Sequence, residues 1–259
     1  WRQFVTALIV FGSVLVTFIG FRLINDGSSF TEYKLTLFLF LGSMLSVAGY
    51  PLIFLMEKIF GLVSNTRLQD LADPNNKLLR ILAQKAPGTF QHSLQVMNLS
   101  DAAARSIDAN VLLVRAGAMY HDIGKTENPQ CFVENEGVGA KYHDGLTPLE
   151  SAKMIINHVT DGMRLAEKYN LPTIISDFII THHGTSCAAY FYNKYIQEGG
   201  DPANADEFFY KGKKPWTKEQ TILMICDSIE AASRTLKDTS PETFDKFVES
   251  IVASKINAG

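Results

Sequence analysis

The chain has 259 residues and a formal net charge of −3. That length holds one sizeable helical domain plus a smaller appendage, and the near-neutral balance gives no sign of a nucleic-acid surface or an acidic tail. Its three cysteines, Cys131, Cys187 and Cys226, lie far apart with no Cys-x-x-Cys pair, which argues against zinc ribbons and disulfide frameworks and fits a reducing compartment.

Two apolar runs come first. Phe4 to Phe21 carries no charge, Leu23-Ile24 extend it past Arg22, and Leu35 to Met56 is a second uncharged run. Each is close to the roughly 20 apolar residues that a helix needs to cross a bilayer. The short polar stretch from Asn25 to Lys34 joins them as antiparallel neighbours. Arg2 precedes the first run, and Lys58, Arg67, Lys77, Arg80 and Lys85 follow the second, against Arg22 and Lys34 on the linker side. The positive-inside rule then places both ends in the cytoplasm. A pair of buried core helices is the alternative. A chain that opens on Trp1 at the edge of a span reads as part of a longer membrane protein. The expected organisation is a transmembrane hairpin over 1–60, a juxtamembrane helical linker over 61–86 and a cytoplasmic domain over 87–259.

From about Asn65 onward the pattern is helical. Pro87-Gly88 precedes a helix from about Thr89 to Ile107, and Asn110 caps one from Val111 to about His121, ended by Gly124. Thr147-Pro148-Leu149-Glu150 combines a capping box with proline at the first helical position and opens a helix to about Tyr169. Pro172 opens another to His183, a second capping box at Thr217–Gln220 leads a helix to about Leu236, and Ser240-Pro241 opens the last. No alternating strand pattern of useful length occurs, so the fold class is all-α. Residues 125–146 and 184–216 are long connections of the kind that often carries binding residues.

Six histidines punctuate this helical part: His92, His121, His143, His158, His182 and His183. A single histidine on an apolar face is usually a hydrogen-bonded core residue. Here five fall on four predicted helices, on or beside apolar stripes, and imidazoles converging in a helical core need a partner such as a metal. His121 stands over Gly117 and Ala118, small residues that permit a close approach. Asp122 follows it directly, and Asp227 follows the apolar run Ile222–Cys226, where a buried carboxylate is costly without a cation.

The set exceeds what one ion requires. One ion is expected to take His92, His121, Asp122 and Asp227, and a second Asp122, His158, His182 and His183, with Asp122 bridging. Two ions about 3.5–4 Å apart can share a hydroxide for in-line attack on phosphorus. A nitrogen-and-oxygen donor set without sulfur favours iron, manganese or another borderline divalent ion over structural zinc.

These residues, with the phrase His121-Asp122-Ile123-Gly124-Lys125, resemble the HD-domain phosphohydrolases. The stretches Ala86–Leu94, Thr181–Thr185 and Cys226–Arg234, with His158, resemble the seven-transmembrane HD family in particular, and the likeness spans nearly the whole chain. The resemblance implies an HD-domain helical bundle on the cytoplasmic face of the cell membrane that hydrolyses cyclic di-AMP to the linear dinucleotide pApA. It carries all seven expected ligands over onto the family's metal positions, makes the two spans the last two of seven, and implies a further helical continuation after about Gly259. A homodimer is compatible with it; DNA or RNA is not an expected partner.

Around the ligands, Lys125 is a candidate to hold a phosphate oxygen as a point charge, or else a solvated lysine after a helix end. His143 lies in a loop near the site, where Lys141-Tyr142 depart from the family's Asn-Pro-His. Tyr190 and Tyr210, within Tyr190-Phe191-Tyr192 and Phe208-Phe209-Tyr210, can stack on a base or pack the insert onto the helices. Three other functions compete. A cyclic di-GMP phosphodiesterase of the HD-GYP type needs a Gly-Tyr-Pro after the His pair, whereas Gly49-Tyr50-Pro51 falls inside the second apolar run and reads as a Pro-bent membrane helix. Nucleotide hydrolases with a mononuclear set do not need His158 and His182-His183. A receptor domain that binds a nucleotide without turnover is the third.

Overall fold

The computed structural model describes residues 2–25, 33–135, 142–238 and 240–258, leaving out some side chains of the first two helices. Two compact units emerge, Trp1–Ser64 and Asn65–Gly259.

The first unit is a helical hairpin. Helix α1 (Arg2–Asn25) packs against α2 (Tyr33–Phe60). Their described surfaces are oily: Leu8, Ile9, Val16, Phe21, Phe38 and Leu45 are all exposed. Ser13 and Thr17 turn their hydroxyls back onto the carbonyls of Ile9 and Ser13, 2.8 Å away in each case, so these polar groups are satisfied within the helix. Helix α2 continues through Gly49, Tyr50 and Pro51, which places that tripeptide in a helix far along the chain from the His pair. Described side chains do not run unbroken along either helix, and among the described residues no helix is long and apolar enough to cross a membrane. Most of the expected linker, 26–32, lies outside the described residues.

The second unit is all helix, with one isolated bridge between Cys187 and Phe209 and no strand among the described residues. Helices α3 (Asn65–Leu71) and α4 (Lys77–Lys85) belong to this body. Leu68, Leu71, Leu78, Leu79 and Leu82 are buried, and the Tyr120 hydroxyl donates to the Leu71 carbonyl at 2.9 Å. The stretch expected to be a juxtamembrane linker thus supplies part of the core, because its leucines recur at helical spacing and find a buried face.

Helix α5 (Pro87–Ser106) packs against α6 (Val111–Tyr120), the buried centre of the unit. Asn110 caps α6 by accepting from the Leu113 amide at 3.1 Å. Helix α7 (Pro148–Lys168) begins in a complete capping box between Thr147 and Glu150. Helices α8 (Thr173–Thr181), α9 (Ala189–Gln197), α10 (Lys218–Ser233) and α11 (Pro241–Ala258) follow. At α10 the expected box is half formed. Thr217 accepts from the Gln220 amide, but the Gln220 side chain accepts from the Trp216 amide instead. The connection 184–216, expected as a long loop, contains α9.

Two close approaches set the geometry of the site. A Cβ on Gly117 would stand 2.5 Å from the Phe178 ring, so the Phe178 ring of α8 lies directly on the α6 backbone at this point. A Cβ on Gly124 would stand 1.8 Å from the His158 carbonyl oxygen. The short 3-10 turn Ile123–Thr126 therefore lies directly on the α7 backbone, and only glycine permits it.

Candidate metal centre

Those crossings gather one histidine or aspartate from each of several elements. His92 comes from α5, His158 from the middle of α7, and Asp227 from α10, while His121 and Asp122 leave the end of α6 and His182 and His183 leave the end of α8. Except for His183, which is partly covered, all are buried.

Two groups of three ligand atoms result. His92, His121 and Asp227 form one, and His158, His182 and His183 the other; within each, one ligand atom per residue lies within 4.8 Å of the others. Asp122 stands between them. Its Oδ2 is 3.3 Å from His121 Nε2 and 3.6 Å from His92 Nε2, whereas its Oδ1 is 3.2 Å from His158 Nε2 and 3.5 Å from His182 Nε2. Each carboxylate oxygen thus faces its own group.

The donor chemistry fits metal ions. His121 Nε2 and Asp122 Oδ1 are buried without a hydrogen-bond partner, an expensive condition that a cation relieves. The imidazoles are also aimed. Nδ1 of His121, His158 and His182 lies 2.7, 2.6 and 2.8 Å from the carbonyls of Ala118, Ile155 and Ile179. Donation to those carbonyls leaves each Nε2 lone pair directed at the centre.

The charge pattern separates the two groups. Burial pulls the His92 imidazole down, but hydrogen bonds to Asp227 and Glu230 outweigh it and the pKa rises. At His121 burial is likewise overcome, chiefly by the Asp122 charge, and the pKa is pushed up to about 10. The carboxyls answer in kind. Burial disfavours both anions, yet Lys125 and His121 hold Asp122, and the facing His121 and His92 imidazoles hold Asp227, well below the usual range. Burial lowers His182, and burial with its imidazole neighbours drives His183 far down. An ion entering the first group therefore competes with protons. In the second, burial instead favours the neutral forms of His182 and His183.

Lys125 is half-buried at the rim. Its Nζ is 2.8 Å from Asp122 Oδ2 and 2.7 Å from Glu134 Oε1, and 4.8 Å from the Phe132 ring centre. Burial disfavours its charge, but the two carboxylates more than compensate and raise the pKa. Tyr210 is buried and stacks on His183, with ring centres 4.2 Å apart, so it forms a wall behind a ligand. Tyr190 is 74% exposed. It lines a cavity of about 570 Å³ together with Phe132, Glu134, His143 and Phe191. His143 Nε2 lies 2.9 Å from the Cys131 carbonyl and its ring 5.1 Å from that of Phe191; Lys141 lies outside the described residues.

Two further acids, one buried and one half-buried, stand beside these groups. Glu230 is 5% exposed and meets His92 Nδ1 at 2.5 Å, and Glu134 pairs with Lys125 and accepts from the Thr89 hydroxyl at 3.2 Å. The spacing Asp227, Glu230, Arg234 was the available signal for the first, because i, i+3 and i+7 share one helix face.

The HD domain family model matches residues 89–232, and the chain belongs to the HD domain family. Within it, the cyclic-di-AMP phosphodiesterase PgpH of Bacillus subtilis (strain 168) is 42% identical over 220 residues, covering 85% of this chain and 30% of that protein. The cyclic-di-AMP phosphodiesterase PgpH of Listeria monocytogenes serotype 1/2a (strain 10403S) is 42% identical over 213 residues, 82% of this chain and 30% of its own length. The chain spans less than a third of these curated relatives. Among solved structures, the L. monocytogenes PgpH HD domain in complex with cyclic-di-AMP superposes with a TM-score of 0.68 at 41% identity, covering 72% of this chain and 87% of that one.

Proposed function

We propose that this chain hydrolyses cyclic di-AMP to pApA at a two-metal centre. The observation that carries the reading is Asp122, whose two oxygens face separate groups of three ligand atoms. Iron or manganese is the native metal we infer from the donor set. When bound, two such ions supply Lewis acidity to the phosphate and lower the pKa of a water for in-line attack.

The protein's own groups prepare the site. Asp122 bridges the two halves, and the backbone carbonyls behind His121, His158 and His182 keep the imidazoles pointing inward. Lys125 keeps Asp122 ionised and has a point charge available to a phosphate oxygen in exchange for Glu134. An adenine fits the cavity beside Phe132, His143, Tyr190 and Phe191, where aromatic faces stack on a base; Phe132 also meets the His158 ring edge-on at 5.7 Å, which puts this cavity next to the ligands. The 1–60 hairpin is the membrane anchor in this reading, with the HD unit on the cytoplasmic side of the cell membrane. Its two uncharged runs, exposed aliphatic side chains and internally satisfied hydroxyls support that role. The active form is a homodimer or a monomer, to be read from sedimentation of the full chain.

The test is a turnover assay with cyclic di-AMP, cyclic di-GMP and linear pApA in Mn²⁺ or Fe²⁺, with metal analysis on the same sample. Conversion of cyclic di-AMP to pApA, faster than cyclic di-GMP is cleaved, is expected. Binding of cyclic di-AMP without cleavage makes the domain a receptor and ends the enzyme reading.

A further inference from the structure

Among the histidines whose Nε2 faces Asp122, three are held from behind by a backbone carbonyl of their own helix. His121 and His182 sit at helix ends, where the last carbonyls lack helical partners, and Nδ1 reaches back three residues to Ala118 and Ile179. His158 does the same with Ile155. His92, within the second turn of a twenty-residue helix, takes a different partner. Its Nδ1 instead meets the Glu230 carboxylate of α10 at 2.5 Å. Glu230 is buried, and the Arg234 guanidinium fixes it from the other side with Nη2 at 2.7 and 2.9 Å from its two oxygens.

Three ligands are thus oriented by a neutral dipole and one by a full negative charge. We propose that Glu230 is a positioning residue that makes the two halves of the centre unequal, so that the ion held by His92, His121 and Asp227 binds first and more tightly. A carboxylate accepting from Nδ1–H pushes electron density toward Nε2 and strengthens it as a donor. The same half contributes Asp227, whereas the half built by His158, His182 and His183 adds no carboxylate to the shared Asp122. Both effects favour a divalent cation on the Glu230 side. Arg234 holds Glu230 in place and lies 3.3 Å from His92 Nδ1, farther than the Glu230 oxygen at 2.5 Å, and so tempers this field without reversing its sign.

The inference rests on the two-metal reading, and the two fail differently. Chelator-stripped full chain is titrated with Mn²⁺, and free Mn²⁺ is followed by electron paramagnetic resonance. Wild type is expected to take up two ions with clearly different affinities. Glu230→Gln keeps an amide oxygen that can accept from Nδ1 but removes the charge; it is expected to weaken the tighter ion by about tenfold to a hundredfold and leave the weaker one unchanged. His158→Ala should abolish the weaker site and spare the tighter one. Circular dichroism of each variant checks folding. Two sites of equal affinity in wild type, equal weakening of both sites in Glu230→Gln, or a Gln variant indistinguishable from wild type overturns the inference. Absence of any specific Mn²⁺ uptake by wild type overturns the two-metal reading itself.

Discussion

The two halves of the centre solve one problem by different means. On the α7–α8 side, His158, His182 and His183 arrive on adjoining helices, aimed by carbonyls or by the Tyr210 ring. On the α5–α10 side, His92 and Asp227 come from helices 135 residues apart in the chain, and side-chain charges hold them. The α7–α8 half is organised by backbone geometry; the other adds side-chain charge to it, since only His121 there is aimed by a carbonyl. Perturbing charge should damage one and perturbing packing the other, while only Asp122 belongs to both.

Asp122→Ala therefore has the largest expected effect. It removes the shared ligand, and turnover of cyclic di-AMP should fall on the order of a thousandfold or more, with metal content dropping below two ions per chain. Full metal retention would break the bridging assignment. Next comes the metal itself. Without ions the buried His121 Nε2 and Asp122 Oδ1 have no partners, so adding Mn²⁺ at about a hundred times its dissociation constant should stabilise the fold by about 2.7 kcal/mol. Scanning calorimetry of stripped and reloaded protein would record a rise of about 5–10 °C; identical melting would remove the centre from the stability of the fold.

Gly124→Ala tests packing alone. The added methyl meets the His158 carbonyl, and overpacking of this kind costs about 1–3 kcal/mol. Its melting temperature should fall, and the weaker ion should be lost before the tighter one. Uniform loss of both ions would erase the distinction between backbone-set and charge-set halves. Tyr190→Ala should do least. The ring is largely exposed, so melting is expected to stay unchanged while KM rises by about fivefold, the loss of one stacked base at about 1 kcal/mol. An unchanged KM removes Tyr190 from the substrate contacts.

How far each half was legible in the sequence follows the same division. Local signals carried well. Thr147 and Glu150 form their capping box, Asn110 caps its helix, and the histidines expected to converge do meet around Asp122. Long-range partnerships were silent. Glu230 looks like any acid on a helix, and only the 138-residue separation closed by the fold reveals that it backs His92. Glu134 is hidden for the same reason, since its partners Lys125 and Thr89 lie in other segments. Helix α9 was missed because its aromatic-rich sequence lies in a connection full of glycine and aspartate. The leucines of α3 and α4 were read as linker because their burial depends on α5 and α6.

The contact between Gly124 and the His158 carbonyl has one more consequence, for anyone wishing to transplant this chemistry. Seven ligand side chains copied onto another helical scaffold would not reproduce the centre, because Asp122 reaches His158 only where two backbones run with less than a methyl group between them. What has to be grafted is a spacing between main chains, and that spacing is encoded by a residue with no side chain.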